Sequence, residues 1–226
     1  DVERRSYDDI SLLATESRAA VLRAWHEYLC CGGLPESVNL AVKRNYLSST
    51  FQKIYLGDIS SRNKIASPLL LRLLLKKLAE SVCQPVSYNR LAHILSSVSG
   101  KITMPTVSKY IEYSESAWLI LRLRNVSAPF AEKETFCKYY FIDNGVLNLF
   151  LLGGETILLE NVVALALFRK YGHDSANERV FFYNEKVEVD FYVPDDELAI
   201  QVSYSMTQSQ ETFEREVNAL KKLPNV

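Results

Sequence analysis

Hydrophobic residues recur at helical spacing through the first third of the chain. The pattern predicts helices over residues 17–31, 38–55 and 68–83. The pair Gly32-Gly33 ends the first of these helices, because glycine readily adopts the left-handed conformation common at helix C-termini. Pro68 lies in the first turn of the third helix, where its missing N–H breaks no hydrogen bond. We therefore expect residues 1–66 to form a helical linker region.

Two short helices on a tight turn follow, ahead of two segments with strand character. Ser87 is placed to cap the first helix, and Thr103-Met104-Pro105 opens the second. Residues 118–123 and 138–142 have the apolar and aromatic character of strands, and the loop over residues 125–135 separates them. This order is typical of a winged helix-turn-helix, so we predict a winged-helix domain over residues 67–147.

The last third of the chain predicts a helix, three strands and a second helix. The helices are expected over residues 156–171 and 210–220, and the strands over residues 180–183, 187–193 and 199–204. The order α-β-β-β-α is that of a restriction-endonuclease-like core. The predicted fold is therefore α+β or α/β, and the third domain spans residues 148–226.

Two carboxylates on one strand face suggest a site in this last domain. Glu188 and Asp190 share a face of their strand, and Gln201 and Ser203 alternate with apolar residues in the next extended segment. A PD-(D/E)XK nuclease places an Asp on one strand and an acid-x-Lys pair on the next, so that carboxylates hold Mg²⁺ and Lys polarises water. Here Gln201 and Ser203 replace that pair, so the pattern indicates a nuclease scaffold and argues against its chemistry.

The composition is that of a folded protein with no global field for nucleic acid. The 226 residues are 48% hydrophobic and 23% charged, and the formal net charge is -1. Residues 62–124 nevertheless carry ten basic and three acidic residues. The candidates for nucleic-acid contact there are Lys101, Thr106, Ser108, Lys109, Arg122 and Arg124. Glu112 and Glu115 in the proposed recognition helix favour the alternative, a winged helix that packs against protein.

Several function classes are disfavoured by the sequence. The four cysteines, Cys30, Cys31, Cys83 and Cys137, lack the paired spacing of a zinc site and predict free thiols in a reducing cytoplasm. Arg72 interrupts the richest apolar run, so no membrane span is expected. No glycine-rich loop ends in Lys-Ser/Thr, so this chain alone should not hydrolyse ATP. The chain stops where an α/β unit would continue, which predicts a fragment of a longer protein.

Six motifs occur in an order that resembles the C-terminal region of bacterial and archaeal AAA-family ATPases. They are Gly33-Leu34-Pro35-Glu36, Tyr55-Leu56-Gly57-Asp58-Ile59, Thr106-Val107-Ser108-Lys109-Tyr110-Ile111, Lys138-Tyr139-Tyr140-Phe141-Ile142-Asp143-Asn144-Gly145, Leu159-Glu160-Asn161 and Glu188-Val189-Asp190-Phe191. The resemblance spans nearly the whole chain. It implies an upstream P-loop ATPase domain as partner, a helical linker, a winged helix and a degenerate nuclease-like domain. ATP would then enter only through that upstream domain.

The resemblance also assigns residues to the vestigial site. Glu160 matches the acidic residue of the first core helix and Asp190 the strand acid, so these two would hold any metal ion. Gln201 and Ser203 match the acid-x-Lys pair and depart from it, and Lys186 or Glu188 would be an auxiliary residue. We expect Glu160, Asp190 and Gln201 to come together in space and to bind divalent metal weakly or not at all.

Three hypotheses of function follow from the sequence. The leading one is a non-catalytic regulatory or nucleic-acid-binding region of an AAA-type ATPase, without a cofactor of its own. The second is an active Mg²⁺-dependent nuclease that uses Glu160, Glu188, Asp190 and Lys186. The third is a protein-interaction module without a nucleic-acid role, in which the winged helix docks on the ATPase or on another protein.

Overall fold

A mixed six-stranded sheet with helices packed on it forms the α+β fold of this chain. The computed structural model describes residues 15–172 and 179–204, and also residues 214, 217, 218, 220 and 221. The helix predicted over residues 210–220 falls mostly outside the described residues.

The first part of the described chain is helical, as predicted. Its elements are α1 (Thr15–Cys31), a 3₁₀ turn (Pro35–Ser37), α2 (Lys43–Gln52), a π-helix (Lys53–Ser61) and α3 (Pro68–Glu80). The prediction of one helix over residues 38–55 was wrong, because α2 begins only at Lys43 and continues into the π-helix. Hydroxyl groups stabilise the wider turns, since Ser60 Oγ donates to the Tyr55 carbonyl and Ser61 Oγ to the Leu56 carbonyl.

The middle of the chain contains the predicted pair of short helices followed by two strands, and a short strand that was not predicted precedes them. Its elements are β1 (Val86–Ser87), α4 (Tyr88–Ser99), α5 (Met104–Ser116), β2 (Ile120–Asn125), α6 (Phe130–Thr135) and β3 (Phe136–Phe141). The Ser87 hydroxyl accepts from the Arg90 N–H and so caps α4 as predicted. The segment predicted as a loop over residues 125–135 contains α6, which is held to β2 by the paired hydrogen bonds from Arg124 to Glu134.

The last third begins with a helix and continues into three strands, in the predicted order. Its elements are α7 (Asn144–Asn148), α8 (Glu155–Tyr171), β4 (Phe181–Asn184), β5 (Glu188–Val193), a 3₁₀ turn (Pro194–Asp196) and β6 (Leu198–Ile200). The last strand is shorter than predicted, because the Asp190 N–H bonds the side-chain oxygen of Gln201 instead of a backbone carbonyl. Gln201 and Ser203 therefore lie beyond the end of β6.

The sheet joins the middle of the chain to its last third. The strand order is β1-β3-β2-β4-β5-β6, and all neighbouring pairs are antiparallel except β2 and β4, which run parallel. The parallel contact pairs Arg124 with Phe181 and Asn125 with Phe182. The predicted domain boundary after residue 147 falls inside α7, and the sheet has strands on both sides of that boundary.

The hydrophobic core follows the apolar faces seen in the sequence. Leu71, Leu74 and Leu75 of α3 are completely buried, and they belong to the same core cluster as Ile120 of β2 and Phe182 of β4. Burial of each such side chain stabilises the fold by about 1.5–3 kcal/mol. No helix in the described part of the chain is long and apolar enough to cross a membrane.

Buried amide side chains attach α1 and α8 to the sheet. This asparagine network consists of Asn144, Asn148 and Asn161. Asn161 of α8 accepts from the Phe141 N–H and donates to the Phe141 carbonyl, each at 2.8 Å. Asn144 donates to the Leu29 carbonyl at 2.8 Å, and Asn148 donates to the Cys30 carbonyl at 2.9 Å. The network therefore satisfies backbone carbonyl groups at the end of α1 and the backbone groups of Phe141, which lies beyond the part of β3 that pairs with β1.

Two glycines allow α1 and α7 to approach closely. A Cβ atom at Gly145 would lie 2.2 Å from the Cys31 carbonyl oxygen, and one at Gly32 would lie 2.2 Å from Asp143 Oδ1. Asp143 uses that space to accept hydrogen bonds from the Gly33 and Val146 N–H groups. The sequence motifs that contain Gly33 and Gly145 therefore have a packing role.

We expect Gly145→Ala to lower the free energy of unfolding by about 2–3 kcal/mol, because backbone atoms must move to admit the methyl group. Gly57→Ala is the matched control, since a Cβ atom there meets nothing within 4 Å and the residue lies in a helix. The control should leave stability unchanged or raise it by up to about 1 kcal/mol. Equal urea midpoints for the two variants would contradict the close approach.

Candidate functional site

A completely buried lysine lies among three carboxylates at the junction of the sheet and α8. Lys138 Nζ lies 3.0 Å from Asp190 Oδ1, 3.3 Å from Glu188 Oε1 and 3.5 Å from Glu160 Oε1. The Lys138 side chain is 0% exposed, whereas that of Glu188 is 38% exposed. We call these four residues the lysine–acid cluster. An ammonium group has three N–H donors, which matches the three surrounding carboxylates.

Different elements bring the members of the cluster together. Lys138 comes from β3, Glu160 from α8, and Glu188 and Asp190 from β5. Alternation along β5 places Glu188 and Asp190 on one face, as the sequence predicts. The β2–β4 contact links β3 to β5 within the sheet, and α8 packs on β3. The cluster therefore depends on contacts between segments that are far apart in sequence.

Neutral donors add further hydrogen bonds to the carboxylates. Tyr140 Oη donates to Glu160 Oε1 at 2.8 Å, and the Val202 N–H donates to Asp190 Oδ2 at 2.9 Å. Gln201 Oε1 in turn accepts from the Asp190 N–H at 3.2 Å. Glu160 and Asp190 are thus oriented by the protein before any ligand arrives.

The electrostatics of the cluster keep the lysine charged. Burial by itself lowers the pKa of Lys138, but the carboxylates of Glu160, Asp190 and Glu188 outweigh it and raise that pKa above its usual range. Burial raises the pKa of Glu160, and Asp190 raises it further, while the Lys138 ammonium opposes both effects. The Lys138 ammonium therefore offsets part of the cost of burying the Glu160 carboxylate.

Two weaker acids border the cluster and are poor nucleophiles or bases. Burial, followed by the nearby Glu160 carboxylate, raises the pKa of the Tyr140 hydroxyl well above its usual value. The same two causes raise the pKa of the Cys83 thiol. All four cysteines are free thiols, and Cys83 stays protonated at neutral pH.

The structure brings some of the predicted site residues together and leaves others apart. Glu160 and Asp190 meet at Lys138, and Gln201 contacts Asp190, so these three lie together as expected. Lys186 was expected on the strand beside Glu188, but it is exposed in the turn before β5. Ser203 is half-buried beyond the end of β6. The ammonium beside the acids comes from Lys138, which the sequence analysis assigned to the winged helix.

One signal in the sequence could have identified Lys138. It is the only charged residue in the apolar run from Phe136 to Ile142. A lysine in the middle of a buried strand must be paired, because an isolated buried ammonium is strongly disfavoured. The run therefore predicts a buried acid partner, although it does not say which one.

A divalent metal ion does not fit the cluster as it stands. The resemblance implies that Glu160 and Asp190 would hold Mg²⁺, but Lys138 Nζ lies within 3.5 Å of both carboxylates. A metal ion that bridged these two oxygen atoms would have to displace the Lys138 ammonium. Within the described residues, no group of three or more His, Cys, Asp or Glu side chains is arranged to hold a metal ion.

The predicted nucleic-acid residues are also partly engaged within the protein. Arg122 Nε donates to Glu115 Oε1 at 2.9 Å, and Arg124 forms two 2.9 Å hydrogen bonds with Glu134. Thr106 shares a hydrogen bond with Thr103, and Ser108 is half-buried. Lys101 and Lys109 are exposed. The surplus of basic residues in this part of the sequence is therefore smaller at the surface than a count of charges suggests.

Comparison with known proteins gives relatives whose names state no function. The chain is 28% identical over 216 residues to the uncharacterized protein MJ1544 of Methanocaldococcus jannaschii. The aligned segment covers 92% of this chain and 48% of that protein. It is 27% identical over 197 residues to an uncharacterized protein of Haemophilus influenzae, and this aligned segment covers 83% of this chain and 48% of that protein. The chain thus spans about half the length of these curated relatives.

Comparison with protein families, unlike comparison with solved structures, gives a match. No solved structure matches the chain significantly. The family model described as a domain of unknown function, DUF8612, matches residues 22–156, a segment that includes Lys138 and the asparagines Asn144 and Asn148. Because this match covers more than half of the sequence, the chain belongs to the DUF8612 family.

Proposed function

We propose that this chain is a non-catalytic regulatory region of an AAA-type ATP-binding protein, with a nuclease-like core that serves as a packing scaffold. The observation that carries the proposal is the completely buried Lys138 ammonium among Glu160, Glu188 and Asp190. In a nuclease of this class the carboxylates must hold a metal ion and face the substrate. Here the Lys138 ammonium contacts all three carboxylates and occupies the space between them.

The closed cluster disfavours phosphodiester hydrolysis in two ways. Asp190 accepts from Lys138 and from the Val202 N–H, so both of its oxygens are already engaged. Lys138 has a raised pKa, so it is not a base, and it is 0% exposed, so a phosphate group cannot reach it without a rearrangement. Charge stabilisation of a transition state requires contact with the reacting group.

The middle of the chain supports a packing role. The order β1, α4, α5, β2, β3, with β1 paired to β3, suits a winged helix. Glu115 of α5, the helix that would read DNA, is bound to Arg122 of β2. The exposed cations Lys101 and Lys109 leave nucleic-acid binding as a testable variant of the proposal.

An ATP-binding domain elsewhere in the polypeptide accords with the resemblance and with the lengths of the relatives. The chain covers 48% of each of the two curated relatives, which leaves room for such a domain in proteins of their length. In this proposal ATP binds only to that other domain, and the present chain transmits or receives a conformational signal.

The second candidate function is a nuclease that uses Lys138 in place of the missing strand lysine. The observation in its favour is that Lys138 lies 3.0 Å from Asp190 and 3.5 Å from Glu160, next to the carboxylates that a nuclease would use. This candidate requires the cluster to open toward solvent, where Glu188 is already 38% exposed.

The experiment is incubation of the chain with supercoiled, linear and single-stranded DNA in the presence of Mg²⁺ or Mn²⁺. We expect no cleavage, and we expect no saturable rise in melting temperature with either metal, because a native-state ligand would stabilise the fold by mass action. An electrophoretic mobility shift assay with the same DNA at low and moderate salt tests whether the chain binds nucleic acid, because such binding weakens steeply as salt increases.

Cleavage that disappears in Asp190→Ala and in Lys138→Gln, with both variants shown by circular dichroism to be folded at the assay temperature, would establish the second candidate and overturn the first. Lys186→Gln is the matched control, since Lys186 is exposed and outside the cluster. Activity that survives Asp190→Ala would come from a contaminating nuclease.

A further inference from the structure

A groove of about 850 Å³ opens between α2, α3 and the loop that connects α7 to α8. Phe51 of α2 and Phe150 of the loop form its apolar floor, with their ring centroids 5.0 Å apart in an edge-to-face arrangement. This volume is within the range of pockets that bind ligands or side chains of a partner. The groove shares no residue with the lysine–acid cluster.

The wall formed by α3 alternates apolar and basic side chains along one stripe. Leu69 and Leu73 are four residues apart, as are Arg72 and Lys76, and all four line the groove. Leu69 is 63% exposed, and Leu152 on the opposite rim is completely exposed. Exposed leucines on both rims of a concave surface are typical of a site that covers them with a partner.

The charge of the groove is positive and is not neutralised from within. Arg44, Arg72 and Lys76 are exposed, and none of them forms an ion pair with a described residue. Glu80 is the one carboxylate in the groove lining, and it pairs with Lys77 at 3.3 Å. The groove therefore presents three cations beside an apolar floor.

We propose that this groove docks an acidic amphipathic helix of a protein partner. Leucine or phenylalanine side chains of that helix would occupy the floor over Phe51 and Phe150, and its Glu or Asp residues would meet Arg44, Arg72 and Lys76. Helix-in-groove recognition combines apolar anchors of this spacing with charges on the rim. The charges set orientation and association rate, and the apolar anchors supply most of the affinity.

The apolar component distinguishes this occupant from other anions. A nucleic acid backbone would use the cations but would leave Leu69 and Leu152 exposed. A bilayer surface is flat on this scale and cannot reach the floor of a concave groove. A helix with one acidic and one apolar face satisfies both features together. The inference goes beyond the proposed function and stands whether or not the lysine–acid cluster is catalytic.

The experiment is selection from a displayed library of helical peptides on the whole chain, with counter-selection on Arg72→Glu/Lys76→Glu. Both replaced residues are exposed, so this variant should fold. We expect the library to yield peptides with Glu or Asp on one face and Leu or Phe on the other. Fluorescence anisotropy should show a loss of affinity of at least tenfold in the double variant, and weaker binding as salt increases.

Matched variants locate the binding. Leu152→Ser should weaken the same peptides several-fold, whereas Arg18→Glu/Arg23→Glu, which reverses two exposed cations of α1 outside the groove, should leave their affinity unchanged. Enrichment of neutral or basic peptides would overturn the proposal, as would no enrichment at all. If single-stranded DNA or anionic vesicles bound more tightly than any selected peptide, and this binding was lost in Arg72→Glu/Lys76→Glu, the proposal would also be overturned.

Discussion

Lys138→Met should lower the free energy of unfolding by about 3–5 kcal/mol, because one partner of a buried ion pair is removed. The methionine keeps most of the volume of the lysine but leaves Glu160 and Asp190 buried without a compensating cation. Because domains are stable by only about 5–15 kcal/mol, a loss of this size brings the variant close to unfolding at room temperature. Urea unfolding followed by circular dichroism measures it.

The pH dependence of the free energy of unfolding, measured for the wild-type chain and for Lys138→Met, tests whether the loss of the ammonium causes this effect. The pKa of Lys138 is raised in the folded state, so its stabilising contribution is complete below the unfolded value of about 10.4 and is lost as the pH rises through the folded pKa. In the variant this alkaline loss should be absent. The pKa of Glu160 is already raised by burial, and removal of the ammonium should raise it further. The deficit of the variant should therefore shrink as the pH falls toward about 4.

Two further variants make the result specific. Lys76→Met removes an exposed lysine and should change stability by no more than about 0.5 kcal/mol. Adding Glu160→Gln to Lys138→Met should recover part of the loss, because the glutamine carries no charge and still accepts from the Tyr140 hydroxyl. A Lys138→Met variant as stable as Lys76→Met would show that the cluster is not closed as described.

Local signals in the sequence were sufficient for the elements that local chemistry determines. The cap at Ser87 and the start of α5 near Pro105 depend on neighbouring residues, so the sequence predicted both. The short helix α6 was missed because its position depends on the ion pair between Arg124 and Glu134, which lies across the β2–α6 connection. Charge counts alone could not reveal that such pairs remove cations from the surface.

The cluster was only half predictable for a related reason. Asp190 and Glu160 follow from patterns within single elements, namely strand alternation and a polar residue in an apolar helix. Lys138 enters the cluster because β2 and β4 pair in parallel and join the sheet across the predicted domain boundary. Nothing in the pattern of either segment specifies that pairing, since it is a contact between distant parts of the chain.

Asn161 provides the second large effect, because it hydrogen-bonds the backbone of β3 at Phe141, beyond the residues that pair with β1. The Ile142 N–H bonds the Leu119 carbonyl on the β2 side, so the Phe141 N–H and C=O point away from β2. The Asn161 amide bonds both of these groups at 2.8 Å and donates to Asn144 Oδ1 as well. Asn161 is 0% exposed, so water cannot replace these hydrogen bonds.

We therefore expect Asn161→Ala to lower the free energy of unfolding by about 3–5 kcal/mol, since each buried polar group left without a partner costs about 1–3 kcal/mol. Asn161→Asp keeps the acceptor for the Phe141 N–H but loses the donated hydrogen bonds, so it should be destabilised at neutral pH as well. Asn45→Ala, an exposed position in α2, is the control and should change stability by at most about 0.5 kcal/mol. Native stability of Asn161→Asp would mean that Phe141 and Asn144 do not depend on the amide N–H groups, and the role assigned to Asn161 would have to be abandoned.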